Sequence, residues 1–344
     1  MSRKAIMFAR IFMAAVACIA LVLVGVQFQT KAQTQPTVRL SVCGNCTSEG
    51  VEGLILKQTN IPQLVGLNLN VLFLNPPDMG QGIASKSLDV EWVGDQPTLS
   101  QLANGIPVTI VGYQFDFQLR LEAAPSIKSV SDLNGKKVGT PFGTTAYELA
   151  ASTIQHANLP PSTLINIAPT DLGTALAGGQ VAAVSIWDPL WGIIESKQQT
   201  HALATAFHTG FVLARTEFLH DNRDAIVKYL EAQILAIAFR ANNHEEADRR
   251  YEAAFNIPAA VAKAAESFDR DYNWKDPAKV NLELQPKDYK DLSETQKFAL
   301  AAKLLPREVD VNSAIDMSLC KDALARIKSS KITVSQIRYV SNEK

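Results

Sequence analysis

Between residues 38 and 93 short apolar runs alternate with amphipathic stretches. Val38–Val42 predicts a strand and Thr47–Gln58 a helix, followed by strand, Pro-containing turn, helix and strand. The same pattern returns between Lys137 and Ile186, with a first strand at Lys137–Thr140 and a helix at Thr144–His156. A shift of 93 positions lays residues 68–95 on 161–188. Pro76 then meets Pro169, Asp78 meets Asp171, Gly80 meets Gly173, Ala84 meets Ala177 and Asp95 meets Asp188. Apolar positions agree in between, such as Leu72 with Ile165 and Val93 with Ile186. Upstream the shift becomes 98 and pairs Asn60-Ile61-Pro62 with Asn158-Leu159-Pro160. Asp78 and Asp171 are expected as helix N-caps, because a carboxylate accepts free first-turn amides.

A strand–helix–strand–helix–strand unit used twice implies parallel sheets covered on both faces, with ligands beyond the carboxyl ends of the strands. Val108–Gly112 and Phe115–Leu121 read as strands that carry the chain from the first copy to the second. Phe211–Ala214 is a short run that carries it back. The rest reads as helical: Arg223–Arg240, Glu245–Phe255, Ala259–Phe268, Pro286–Leu305 and Ser318–Ile327.

The N-terminus departs from this pattern. Arg3, Lys4 and Arg10 precede Ile11–Val26, sixteen residues without a charge, and Thr30-Lys31-Ala32 offers small residues at a cut. This is the layout of a cleaved export signal over residues 1–32. The other reading is a retained anchor, although a spanning helix needs about 20 apolar residues. Losing residues 1–32 removes four basic residues and no acid, so 29 basic and 34 acidic residues remain, a net charge of −5 over 312 residues. That balance gives no basic nucleic-acid surface. No glycine-rich GK[ST] string suggests a nucleotide loop, and 47% apolar residues exclude a wholly disordered chain.

Several strings resemble the ABC-transporter periplasmic solute-binding proteins of the nitrate/sulfonate/taurine branch. Asp132-Leu133-Asn134-Gly135-Lys136-Lys137-Val138-Gly139 followed by Thr140-Pro141-Phe142-Gly143-Thr144-Thr145 resembles their second lobe. Leu176-Ala177-Gly178-Gly179-Gln180-Val181-Ala182-Ala183-Val184 with Trp187-Asp188-Pro189 is similar to a further run, with Ala182 where Asp is usual. Trp92-Val93-Gly94-Asp95-Gln96-Pro97 resembles their first-lobe ligand loop, and the likeness spans about Val38–Ala325. It implies an α/β, two-lobed type II periplasmic-binding fold, each lobe a mostly parallel sheet flanked by helices. Lobe 1 would be residues 33–114 and 215–344, and lobe 2 residues 115–214 with the hinge crossings. Such proteins deliver a small solute to an inner-membrane permease and catalyse nothing, so no catalytic residue, cofactor or metal is expected.

The candidate site lies at the loops that end strands. Phe142-Gly143-Thr144-Thr145-Ala146 opens a helix, whose free amides and positive end attract an anion while the hydroxyls donate. Alternatively Thr144 or Thr145 only caps its own helix. The twin loop in lobe 1 brings Asn45, Cys46 and Thr47, and neither loop carries Arg or Lys. Asp95, after Gly94, and Asp188 hold equivalent places, where each either binds a ligand amine or fixes loop amides. Trp187 is either a wall for a carbon chain or a packed core residue. Gly210 and Phe211 are cleft candidates, and Tyr272 and Trp274 either lid the cleft or pack on helices.

Cys43 and Cys46 form a CxxC pair, either a small disulfide or a redox-active pair at a helix start. The five histidines lack metal-ligand spacing; His201 and His208 read as surface or loop residues, and Glu245, Glu246 and Asp248 as a solvated helix face. The expectation is a monomeric, exported solute-binding subunit of an ABC importer in the periplasm. Its solute is a small anionic or zwitterionic organic compound such as a sulfonate or taurine, and nucleic acid is not a partner. The alternatives are a thiamine-pyrimidine-synthase-like enzyme on the same fold and a solute sensor for a membrane receptor.

Overall fold

The computed structural model describes residues 36–160 and 163–340, so the segment read as an export signal lies outside the described residues. Eight strands form one sheet. They are β1 (Thr37–Cys43), β2 (Asn68–Leu74), β3 (Val90–Gly94), β4 (Val108–Ala123), β5 (Val138–Thr140), β6 (Leu164–Asn166), β7 (Ala183–Trp187) and β8 (His201–Arg215). Their order is β2-β1-β3-β8-β4-β7-β5-β6. Counted inward from either edge, the order is the second strand of a copy, its first, its third, and then a crossing strand. Pairing is parallel within each copy and antiparallel at β3–β8, β8–β4 and β4–β7. The strand that leaves copy one, β4, therefore completes the half of the sheet that holds copy two, and β8 completes the half that holds copy one.

The two stretches expected as separate strands, Val108–Gly112 and Phe115–Leu121, are parts of the single β4, whose register against β8 shifts at Ile110/Gly112 and Tyr113/Phe115. The short run at Phe211–Ala214 is the buried end of β8. The first half of that strand alternates small, polar and aromatic residues and is only half-buried, which hid it from a search for apolar runs.

Helices fall close to their expected spans: Thr47–Gln58, Thr145–His156, Arg223–Asn242, His244–Phe255, Ala259–Glu266, Pro286–Ala301 and Ser318–Ser329. Thr144 is the N-cap of its helix, its hydroxyl accepting the Tyr147 amide at 3.4 Å. Of the two expected carboxylate caps, Asp78 is corrected, and Asp171 holds the N-cap position without a side-chain cap bond. Pro76 and Pro77 take the first helical positions, so the helix starts at an Asn75 cap and Asp78 sits inside its first turn. In copy two a 3-10 turn over Pro169–Asp171 runs straight into the next helix and leaves Asp171 in a helical conformation, where its side chain makes no cap bond.

Among the described residues the core falls into four clusters, two built from the chain before Gln114 and after Gly210 and two built mainly from residues 115–204. The Arg223–Asn242 helix is buried nearly all round, from Ala225 to Ala241, as expected of an element enclosed on every side. Among the described residues no helix is long and apolar enough to cross a membrane.

Candidate functional site

In each half of the sheet the first strand lies between the second and third, so the chain leaves β1 and β3, and likewise β5 and β7, in opposite directions. A crevice opens at such switch points. Here the two crevices meet in one narrow cavity of about 40 Å³. Cys46 and Glu49 reach it from the loop and helix after β1, Gly94 from the end of β3, and Pro97 from the first turn of the helix that follows. Thr144 and Thr145 reach it after β5, and Trp187 and Asp188 after β7. Pro76, Trp92, Val93, Phe115 and Phe117 complete the lining.

Six expected residues thus share the cavity: Cys46, Gly94, Thr144, Thr145, Trp187 and Asp188. The others lie off it. Asn45 and Thr47 flank Cys46 without lining the space, and Gly143 is an exposed turn residue at φ +76°. Phe211 is fully buried in the cluster that holds Tyr113 and Met79. Gly210 acts indirectly: a Cβ there would come within 2.0 Å of the Phe115 ring, so glycine lets that ring lie against β8. A Cβ on Gly94 would similarly come 2.7 Å from the Thr145 hydroxyl.

Asp95 is a buried hub rather than a lining residue. It accepts hydrogen bonds from the Gln96 amide (2.8 Å), the Thr295 hydroxyl (3.0 Å) and the Thr145 hydroxyl (3.3 Å), and pairs with His208 Nδ1 at 2.7 Å. Burial alone would raise its pKa, but the His208 charge and these donors bring it below the ordinary value. Burial would lower the His208 pKa, and Asp95 reverses that into a rise. His208 is therefore not the surface residue expected, because the antiparallel β3–β8 and β4–β8 pairing carries it beneath the turn after β3.

Both threonine hydroxyls have partners inside the protein. Thr144 donates to the Pro141 carbonyl at 2.7 Å, and Thr145 donates to Asp95. What this turn offers a solute is the first-turn amides and the positive end of the helix. Trp187 is 5% exposed and its indole N–H has no partner among the described residues. Asp188 accepts the Gln118 amide at 2.7 Å, and burial pushes its carboxyl up to about 8. Glu49 accepts the Cys43 amide at 2.8 Å, and burial raises its pKa well above the ordinary value.

Cys43 and Cys46 are joined as a disulfide. Among the described residues, Cys43, Cys46 and Glu49 are a group whose ligand atoms lie within 4.8 Å of one another, but bonded sulfurs are not thiolate ligands. Cys43→Ser/Cys46→Ser is expected to bind the eventual solute within about tenfold of the parent, or about 1.4 kcal/mol by calorimetry. Complete loss of binding in a folded variant would give the sulfurs a direct role.

Elsewhere the structure revises one reading and decides another. Asp248 is buried, so the acidic run at 245–248 is not wholly a solvated face. Tyr272 stacks on His244 with ring centroids 4.0 Å apart and Trp274 packs on Tyr113, so both pack rather than lid the cavity. The lining residues the sequence did not single out for the site are Glu49, Pro76, Phe115 and Phe117. Glu49 reads as an ordinary first-turn carboxylate, and its only signal was its place two residues beyond a loop already singled out.

A repeated α/β unit whose strand ends meet at one cavity is the periplasmic-binding fold, the architecture of the solute-binding class to which the motifs pointed. The chain belongs to the NMT1/THI5-like family, whose model matches residues 65–247. It is 24% identical over 265 residues to a protein of Bacillus subtilis (strain 168) named as an aliphatic sulfonates-binding protein, covering 74% of this chain and 77% of that one. Its fold matches the alkanesulfonate-binding protein SsuA from Xanthomonas axonopodis pv. citri bound to MOPS, at TM-score 0.66 and 18% identity over 83% of this chain and 99% of the other. The desulfurization enzyme DSZB shares the fold at TM-score 0.62 and 13% identity, over 85% and 99%.

Proposed function

We propose that this protein is the solute-binding subunit of an ABC importer, exported by residues 1–32, and that it presents a small organic solute carrying an oxyanion group, such as a sulfonate, to an inner-membrane permease. The observation that carries this reading is the cavity between the two copies, where helices from both begin. Their positive ends suit an oxyanion without an opposing Arg or Lys, and Trp187 adds a free donor. The Bacillus subtilis relative supports a sulfonate. Binding is favoured over catalysis because the sulfur of the cavity-lining Cys46 is bonded to that of Cys43 and both threonine hydroxyls are engaged.

A cavity of about 40 Å³ holds only a few waters, at roughly 10–15 Å³ each. A larger solute enters when residues 115–214 swing away from the rest about the crossings in β4 and β8. A thermal-shift panel of alkanesulfonates, taurine and nitrate tests the reading, since a solute at 100 times its Kd stabilises the fold by about 2.7 kcal/mol. Small-angle scattering with the best compound is expected to show compaction. An unchanged profile at saturation would rule out the hinge. Mass spectrometry of a periplasmic extract is expected to find a chain starting near Gln33, whereas an intact N-terminus in the membrane pellet would point to an anchor.

A further inference from the structure

Reading the cavity as the solute site leaves two of its lining groups without a task. Glu49 comes from the helix after β1 and Asp188 from the end of β7, so they enter from opposite halves of the sheet. Both are buried, and among the described residues no Lys or Arg lines the cavity with them. Each accepts a backbone amide of its own half or of β4, which suits a carboxylate but supplies no counter-charge. Their surroundings add negative charge: Glu91 and Asp188 act on Glu49, and Asp269 and Glu266 act on Asp188. The cations nearby are committed elsewhere. Arg240 is paired with Glu52, Asp269 and Asp271, and His208 with Asp95. The Tyr251 hydroxyl is buried in the field of both carboxyls.

An independent feature of the same cavity points to a ligand. The indole N–H of Trp187, a residue 5% exposed, faces no acceptor among the described residues. With the two helix starts it makes a donor pole, while Glu49 and Asp188 make an acceptor pole. A solute carrying only an anionic group would satisfy the first and leave the second without a counter-charge. Buried carboxyls without a cation stay protonated or draw one in.

We propose that Glu49 and Asp188 together receive a protonated amine or another cationic nitrogen group, so that the solute is a zwitterion whose anionic end meets the helix starts and the Trp187 N–H. This rests on the reading of the cavity as the solute site and decides which solutes it selects. Binding then has a proton signature. The arriving ammonium stabilises the ionised carboxylates, so a proton leaves the pair as the solute enters, and affinity rises with pH from 6 to 8 while the amine itself stays protonated.

The test compares taurine with isethionate, which carries a hydroxyl in place of the ammonium, and β-alanine with 3-hydroxypropionate, by calorimetry. The amine member of a pair is expected to bind about tenfold or more tightly. Glu49→Gln and Asp188→Asn are expected to erase that preference, lowering amine affinity about tenfold while leaving the hydroxyl analogue unchanged or tighter. Should Asp188→Asn fail to fold, Glu49→Gln and the parent still decide. For the parent at pH 7, titrations in phosphate and in Tris are expected to differ in heat by the release of about one proton per solute bound. Equal or tighter binding of isethionate, with no proton released, overturns the acidic receptor and leaves the solute site standing. No binding by any of the four compounds at millimolar concentration overturns both.

Discussion

Replacing Arg240 by methionine is expected to destabilise the protein by about 3–5 kcal/mol, the usual loss when one partner of a buried charge cluster is removed. Arg240 is fully buried near the end of the enclosed Arg223–Asn242 helix, and its guanidinium serves Glu52 at 3.2 Å, Asp269 at 3.5 Å and Asp271. Burial raises Glu52 and Asp271 well above the ordinary carboxyl pKa even with Arg240 opposing it. Without the cation these carboxyls must take up protons or repel one another. The loss should therefore be smaller at pH 5.5 than at pH 8, which urea denaturation at the two values checks. The damage should also reach the cavity, because Asp269 accepts hydrogen bonds from the Ser48 hydroxyl, beside the first helix start, and from the Tyr113 hydroxyl at 2.9 Å. A pH-independent loss below about 1 kcal/mol would show that the cluster does not need its cation.

The opposite sign is expected at Glu91. This carboxyl is fully buried on β3, accepts the Gln101 amide at 2.6 Å through one oxygen, and has no partner for the other among the described residues. Burial pushes it up to about 7. A raised pKa means the folded state holds a proton that the unfolded state releases. Its contribution is complete below the ordinary 4.5 and is lost as pH climbs through about 7. Glu91→Gln removes the group that must ionise, and its amide can donate to the unpartnered Gln101 carbonyl oxygen. The variant is expected to match the parent near pH 5 and to exceed it at pH 8 by roughly 1–3 kcal/mol, since each tenfold change in proton affinity is worth about 1.36 kcal/mol. Thermal melts across that range check it, and a parent that gains stability from pH 5 to 8 would sink the assignment.

The repeat, its strands and helices, and the two helix-start loops were legible in the sequence because each is set locally. Proline and glycine fix turns, apolar spacing fixes the face of a helix, and an aligned copy doubles the signal. The family resemblance rested on the same local strings, and residues 65–247 carry it.

What only the tertiary structure decided concerns residues brought together from distant parts of the chain. The exchange of β4 and β8 between the halves, which places His208 against Asp95 across 113 positions, leaves no trace in local pattern. Nor does the first half of β8, whose alternation is too weak to read as an apolar run. A first-turn glutamate such as Glu49 has the same local signature on a solvated helix as against a buried cavity wall. Its chemistry depends on what surrounds it, and that includes Asp188, contributed 139 positions later from the other half of the sheet. Local sequence thus determined where the site's loops begin. Burial and charge, which depend on the whole fold, determined that two of its groups are carboxyls without a cation.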